Sequence, residues 1–118
     1  MIKASNLYKS FGEQAVLCGV NLEIQKGEAA IILGRSGSGK SVLLKHMSGL
    51  IQPDAGKIFI GDLEISSLNE RELLEVRRQM AVMFQGAALF DSMNVGENIG
   101  FSLYREGKRS HAEIAKEI

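Results

Sequence analysis

A single cysteine, Cys18, leaves the sequence without an internal disulfide. One thiol is ordinary in a reducing compartment, and its expected place is a small core position. Neither charge predominates: fourteen Lys and Arg balance fourteen Asp and Glu. No basic field of the kind that grips nucleic acid results, and no nucleic-acid partner is expected. No apolar run approaches the roughly 20 residues of a bilayer-crossing helix; the longest, residues 29–33, has strand length. Direct membrane insertion is therefore not expected. Residues 1–6 lack the basic head and apolar stretch of a secretory signal, so the cytoplasm is the expected compartment. Repeats, low-complexity tracts and linker-like stretches are missing too. The guanine-reading string Asn-Lys-x-Asp does not occur, which sets a GTPase aside.

What is there suits one ordinary domain: 118 residues, 45 % hydrophobic with 6 % aromatic. Val20, Leu22 and Ile24 alternate with Asn21, Glu23 and Gln25, the period of a half-buried strand, and Lys26 and Gly27 then turn the chain. Residues 29–33 show no polar alternation, as expected of a central strand covered on both faces. From Ser41 onward Val42, Leu43, Leu44, Met47 and Leu50 recur at helical spacing, with Gly49 near the stop. Pro53 and Gly56 mark a turn before a short strand at 57–60. Ser67 and Glu70 have capping-box spacing and predict a helix to about Arg78, followed by a buried strand at 80–84. Asn94 is suited to cap a helix through Phe101 and Tyr104. A second capping box, Ser110 with Glu113, opens a last helix. His46 and His111 are expected at the surface or at helix ends.

Between the predicted strand at 29–33 and the helix from Ser41 lies Gly34, Arg35, Ser36, Gly37, Ser38, Gly39, Lys40, Ser41, which satisfies Gly-x-x-x-x-Gly-Lys-Ser. Glycines let the backbone fold tightly enough to aim several N–H groups at one anion. Lys40 supplies a mobile positive charge for the β and γ phosphates of ATP, and the Ser41 hydroxyl can take one position around Mg²⁺. The helix start, Val42 included, adds unpaired N–H groups and the positive end of its dipole.

This phosphate loop, the Phe84 and Gln85 pair, and Phe11 before Gly12 together resemble the N-terminal part of an ABC-transporter ATPase, across essentially the whole chain. Residues 82–99 are similar to the ATPases of Mla-type (toluene-tolerance) lipid transport systems. The resemblance implies an α/β fold: a P-loop NTPase-like, incomplete ABC-type core with an N-terminal antiparallel β-subdomain. It divides at residues 1–93, carrying the β-subdomain, Walker A and Q-loop, and 94–118, the start of a helical subdomain. It implies that Phe11 stacks on adenine. Gln85, at the end of a strand, would touch Mg²⁺ and the attacking water. It further implies a second copy of the ATPase subunit and a transmembrane permease. The permease would dock near Ala87, Leu89, Phe90 and Met93, placing the chain at the inner face of the plasma membrane. Lipid or hydrophobic-substrate transport is the implied function.

The same family needs a Walker-B aspartate and glutamate, a later histidine and a Leu-Ser-Gly-Gly-type signature, none of which occurs here. Asp62 and Asp91 each follow an apolar run, but no acidic residue follows either directly. The expectation is a chain that binds ATP without turning it over and stops inside the helical subdomain. Such a core would leave apolar edges to be covered by self-association or a partner. A small-molecule kinase using Asp62 or Asp91, or a module that only senses nucleotide, are the alternatives.

Overall fold

The computed structural model describes residues 1–86 and 89–118. They fall into two compact units, residues 1–82 and 83–118.

In the first unit, strands β1 (Ile2–Phe11) and β2 (Gln14–Ile24) make an antiparallel hairpin that reverses at Gly12, whose φ of 60° favours glycine. Strand β3 (Ala55–Ile60) joins the other edge of β1, with Ala4 opposite Ile58, and β4 (Leu63–Glu64) completes the order β2-β1-β3-β4. A period-two reading passes over β1 because its two buried residues, Ala4 and Leu7, are three apart. The register shifts between them, and Asn6 at φ 49° takes up the extra residue while its N–H donates to Asn21 Oδ1 at 2.9 Å.

Helices α1 (Lys40–Met47) and α2 (Glu70–Arg77) supply Leu43, Met47, Leu73 and Val76 to the core formed with Ala4, Leu7, Leu17, Ile58 and Ile65. Each of the larger side chains contributes about 2 kcal/mol by leaving water. His46, expected at the surface or at a helix end, does lie in the last turn of α1, but it is fully buried and shares this stripe, three residues beyond Leu43. Its Nδ1 lies 2.7 Å from the Val42 carbonyl oxygen one turn back, so that nitrogen carries the proton and donates. Cys18 corrects the other way. It follows buried Leu17 on β2 and so points to the opposite, exposed face.

Two predicted buried strands are not formed. Residues 29–33 pair with no described strand, and Ile31 and Leu33 are 84 % and 88 % exposed. Residues 80–84 are likewise unpaired, with Met83 90 % exposed. A central strand is stable only when neighbours take its N–H and C=O groups, and no described residues supply such neighbours to these segments. The predicted helix before Arg78 is present, but its capping box is Asn69 with Glu72, two residues later than Ser67 with Glu70.

The second unit holds α3 (Val95–Glu106) and α4 (His111–Glu117). Asn94 and the box of Ser110 with Glu113 cap them as predicted, Glu97 completing a capping box with Asn94 as well, and His111 is exposed at the first position of α4. The helices meet closely at Gly100, where a Cβ would stand 3.2 Å from Cγ2 of buried Ile114. Among the described residues no helix is long and apolar enough to cross a membrane.

Candidate functional site

The loop at 34–41 turns tightly. Ser38 N–H donates to the Arg35 carbonyl at 3.2 Å, and Gly39 takes φ 92°. Any other residue would be strained there, and space is short as well: a Cβ would stand 3.0 Å from Val16 Cγ1 and 3.2 Å from the Val16 carbonyl oxygen. At Gly34 a Cβ would lie 2.5 Å from Ser38 Oγ, so a larger residue there would force the serine hydroxyl aside.

Helix α1 leaves directly from Gly39 with no side-chain cap and no acidic residue in its first turn. Its first hydrogen bond runs from Leu43 N–H to the Gly39 carbonyl at 2.8 Å. The N–H groups of Lys40, Ser41 and Val42 therefore have no acceptor within the helix and lie at the positive end of its dipole, a cradle for an anion. Lys40 folds back over the loop, its ammonium donating to the Gly34 and Arg35 carbonyls, each at 2.7 Å. Ser38 Oγ is a third neighbour at 3.4 Å. These acceptors are neutral; an anionic phosphate oxygen adds attraction between opposite charges to the hydrogen bond, so an arriving triphosphate would draw the ammonium from them. Ser41 is exposed beside it. With no side-chain cap, no acidic residue in the first turn and one mobile cation, the loop fits a polyphosphate.

Val16, Gly37, Gly39, Lys40, Ser41 and Val42 line a hollow of ≈ 210 Å³. Val16 has no local sequence signal; it reaches the loop only because β2 passes Gly39. It also ties the loop to Phe11, since Gln14, two residues before Val16, is the register partner of Phe11. Phe11 ends β1 and is half-exposed, as a stacking platform must be.

The ABC transporter family model matches residues 17–118. The chain belongs to the ABC transporter family. It corresponds to the N-terminal portion of an ABC ATP-binding domain, and its fold is an ABC-type P-loop core in part, with the antiparallel sheet N-terminal. Protein TRIGALACTOSYLDIACYLGLYCEROL 3, chloroplastic, of Arabidopsis thaliana is 43% identical over 98% of this chain and 33% of its own length. Probable ribonucleotide transport ATP-binding protein mkl of Mycobacterium leprae is 42% identical over 96% and 33% respectively. The ABC chain thus spans about a third of the length of these relatives. Among solved structures, the dimeric ATP-binding cassette MJ0796 in a post-hydrolysis state bound to ADP and Pi has a TM-score of 0.87 at 33% identity. The match covers 98% of this chain and 53% of that one. CbiO1 of Clostridium perfringens, part of the ABC transporter complex cbiONQ, matches with a TM-score of 0.83 at 28% identity, covering 98% of this chain and 46% of its own.

The remaining residues expected at a site lie in the second unit of the ABC chain. Gln85 is exposed in a turn with Gly86, and not at the end of a strand, because residues 80–84 form none. Of the residues expected at a permease-docking surface, Ala87 lies outside the described residues. Leu89 is 66 % exposed; Phe90 packs against Phe101 with ring centroids 4.5 Å apart. Met93 lines a cavity of ≈ 670 Å³ together with Phe101, Tyr104 and His111. Asp62 and Asp91 both sit exposed in turns, Asp62 in the β3–β4 hairpin.

Proposed function

We propose that this chain grips the triphosphate of ATP as part of the motor subunit of an ABC transporter, which couples ATP binding and hydrolysis to movement of a lipid or other hydrophobic substrate across or between membranes. One observation carries the binding: uncapped amides at the start of α1 lie beside the Lys40 ammonium on a tight loop whose turn at Gly39 admits only glycine. Lys40 would hold the β and γ phosphates, residues 34–42 would enclose them with backbone N–H groups, and Phe11 would stack the base. Mg²⁺, which the Ser41 hydroxyl would hold together with phosphate oxygens, would supply charge neutralisation there.

Hydrolysis belongs to a subunit that also carries a Walker-B acid pair and a signature motif, so this chain alone is assigned binding without turnover. Two such subunits would close over two nucleotides and pass the movement to a permease docked near Leu89, Phe90 and Met93, with the motor on the cytoplasmic face of the membrane. We place the start of the helical subdomain at residue 94. The lipid assignment is supported by the likeness of residues 82–99 to Mla-type ATPases and by a relative named for a galactolipid, trigalactosyldiacylglycerol. Other relatives are named for ribonucleotide and methionine transport. In the complete transporter held in detergent micelles, stimulation of ATPase activity by added phospholipid, and not by ribonucleotide or methionine, is the expected result.

The binding itself is tested by titrating the chain with a fluorescent ATP analogue in Mg²⁺. Lys40→Ala should weaken affinity tenfold or more, since a charged hydrogen-bond partner contributes about 1.5–3 kcal/mol. A superimposable curve from folded Lys40→Ala, checked by circular dichroism, would remove the assignment.

A further inference from the structure

Asp54 stands in the turn between α1 and β3, forty-four residues from Ser10, yet it accepts the Ser10 N–H at 2.7 Å and the Lys9 ammonium at 2.8 Å. Its own N–H donates to the Tyr8 carbonyl at 2.9 Å. On that edge of β1 the pairing with β3 ends at Tyr8 opposite Ala55. Beyond it Ser10 N–H would be an unpaired edge donor. Asp54 takes over where the strand ladder stops, so the end of β1 that carries Phe11 is held on both edges, by β2 on one and by this carboxylate on the other.

The same carboxylate fixes Lys9. That side chain is only 18% exposed although it is a lysine, and its ammonium lies 5.6 Å from the centroid of the Phe11 ring. This is within reach of a cation–π attraction. A tethered ammonium covers one face of the ring and leaves the other for a flat partner.

We propose that Asp54 and Lys9 are positioning residues for nucleotide-base stacking: Asp54 anchors the strand end and the lysine, and Lys9 fixes the Phe11 ring with one face presented to the base. The inference rests on Phe11 being the stacking platform. Its gain is preorganisation, because a ring already held loses less freedom when the base arrives. Neither residue touches the phosphates in this scheme. Lys9 acts on the ring, and Asp54 acts through Lys9 and the strand.

The test compares two ligands on the 118-residue chain by calorimetric titration in Mg²⁺: ATP, and inorganic tripolyphosphate, which offers the phosphate loop the same chemistry without a base. Phe11→Ala should weaken ATP about tenfold, the scale of one lost base–aromatic stack. Lys9→Met and Asp54→Ala should each weaken it about threefold, the share that comes from holding one side chain in place. Tripolyphosphate affinity should not change in any of them. In a Phe11→Ala background, adding Asp54→Ala should cost nothing further, since it has no ring left to position.

Equal weakening of both ligands, additivity with Phe11→Ala, or unaltered ATP affinity in the Lys9 and Asp54 variants overturns the proposal while leaving stacking by Phe11 intact. Unaltered ATP affinity in Phe11→Ala instead removes the platform, and the proposal with it. Should Asp54→Ala not fold, Asp54→Asn and Lys9→Met decide the matter alone.

Discussion

Asp54 accepts hydrogen bonds from the Lys9 ammonium and from Ser10 N–H, and these, in that order, hold its carboxyl below the ordinary carboxylate range. A depressed folded-state value means that the unfolded chain binds the proton more readily. The stabilisation is therefore complete above the unfolded value of about 4 and is lost as pH falls below it. Glu113 behaves alike, held down first by Ser110 N–H and then by the Ser110 hydroxyl. Urea midpoints measured between neutral pH and pH 3 should fall on the acid side for the native chain, and fall less steeply for Asp54→Asn. Equal slopes would show that this carboxylate contributes nothing to acid sensitivity. At this scale residue type alone misleads. Cysteine tends to be buried and histidine to be wet, yet Cys18 is exposed and His46 buried, because strand alternation and helical spacing decide which way each points.

At the scale of elements, helix α2 shows how two local signals compete. Ser67 with Glu70 and Asn69 with Glu72 both have capping-box spacing, and only the second is formed: Glu72 N–H donates to Asn69 Oδ1 at 3.0 Å and Asn69 N–H to Glu72 Oε2 at 2.9 Å. The later start leaves Leu68 outside the helix, packed against the core, while Leu73 and Val76 are buried within it. Asn69→Ala should cost about 1 kcal/mol in chemical denaturation, whereas Ser67→Ala, at an exposed position outside the helix, should cost close to nothing. The reverse ranking would restore the earlier cap. Strand β1 is an opposite case: its bulge at Asn6 breaks the alternation from which strands are recognised, so it is visible only in the pairing with β2 and β3. Asn94 and Ser110, by contrast, were legible because each box has no rival within two residues.

For the molecule as a whole, the consequential feature is apolar backbone without a partner. Ile31, Leu33 and Met83 are each more than four-fifths exposed. Large apolar side chains exposed on unpaired backbone drive association. Size-exclusion chromatography with light scattering should show concentration-dependent self-association of the 118-residue chain, lessened by Leu33→Lys. A stable monomer at all concentrations would contradict this.

From the order of residues alone follow the glycine loop at 34–41, the polarity of α1 behind it and the caps of the last two helices. Each depends on backbone conformations and hydrogen bonds that close within a few positions. What only the tertiary structure decided is which groups meet that loop from afar: Val16 against Gly39, Asp54 under the strand that ends in Phe11, and His46 in the core. It also decided that residues 29–33 and 80–84 are not strands among the described residues. A strand is completed by hydrogen bonds from a neighbour that may be distant in sequence, and hydrophobicity within the segment carries no record of whether that neighbour is there.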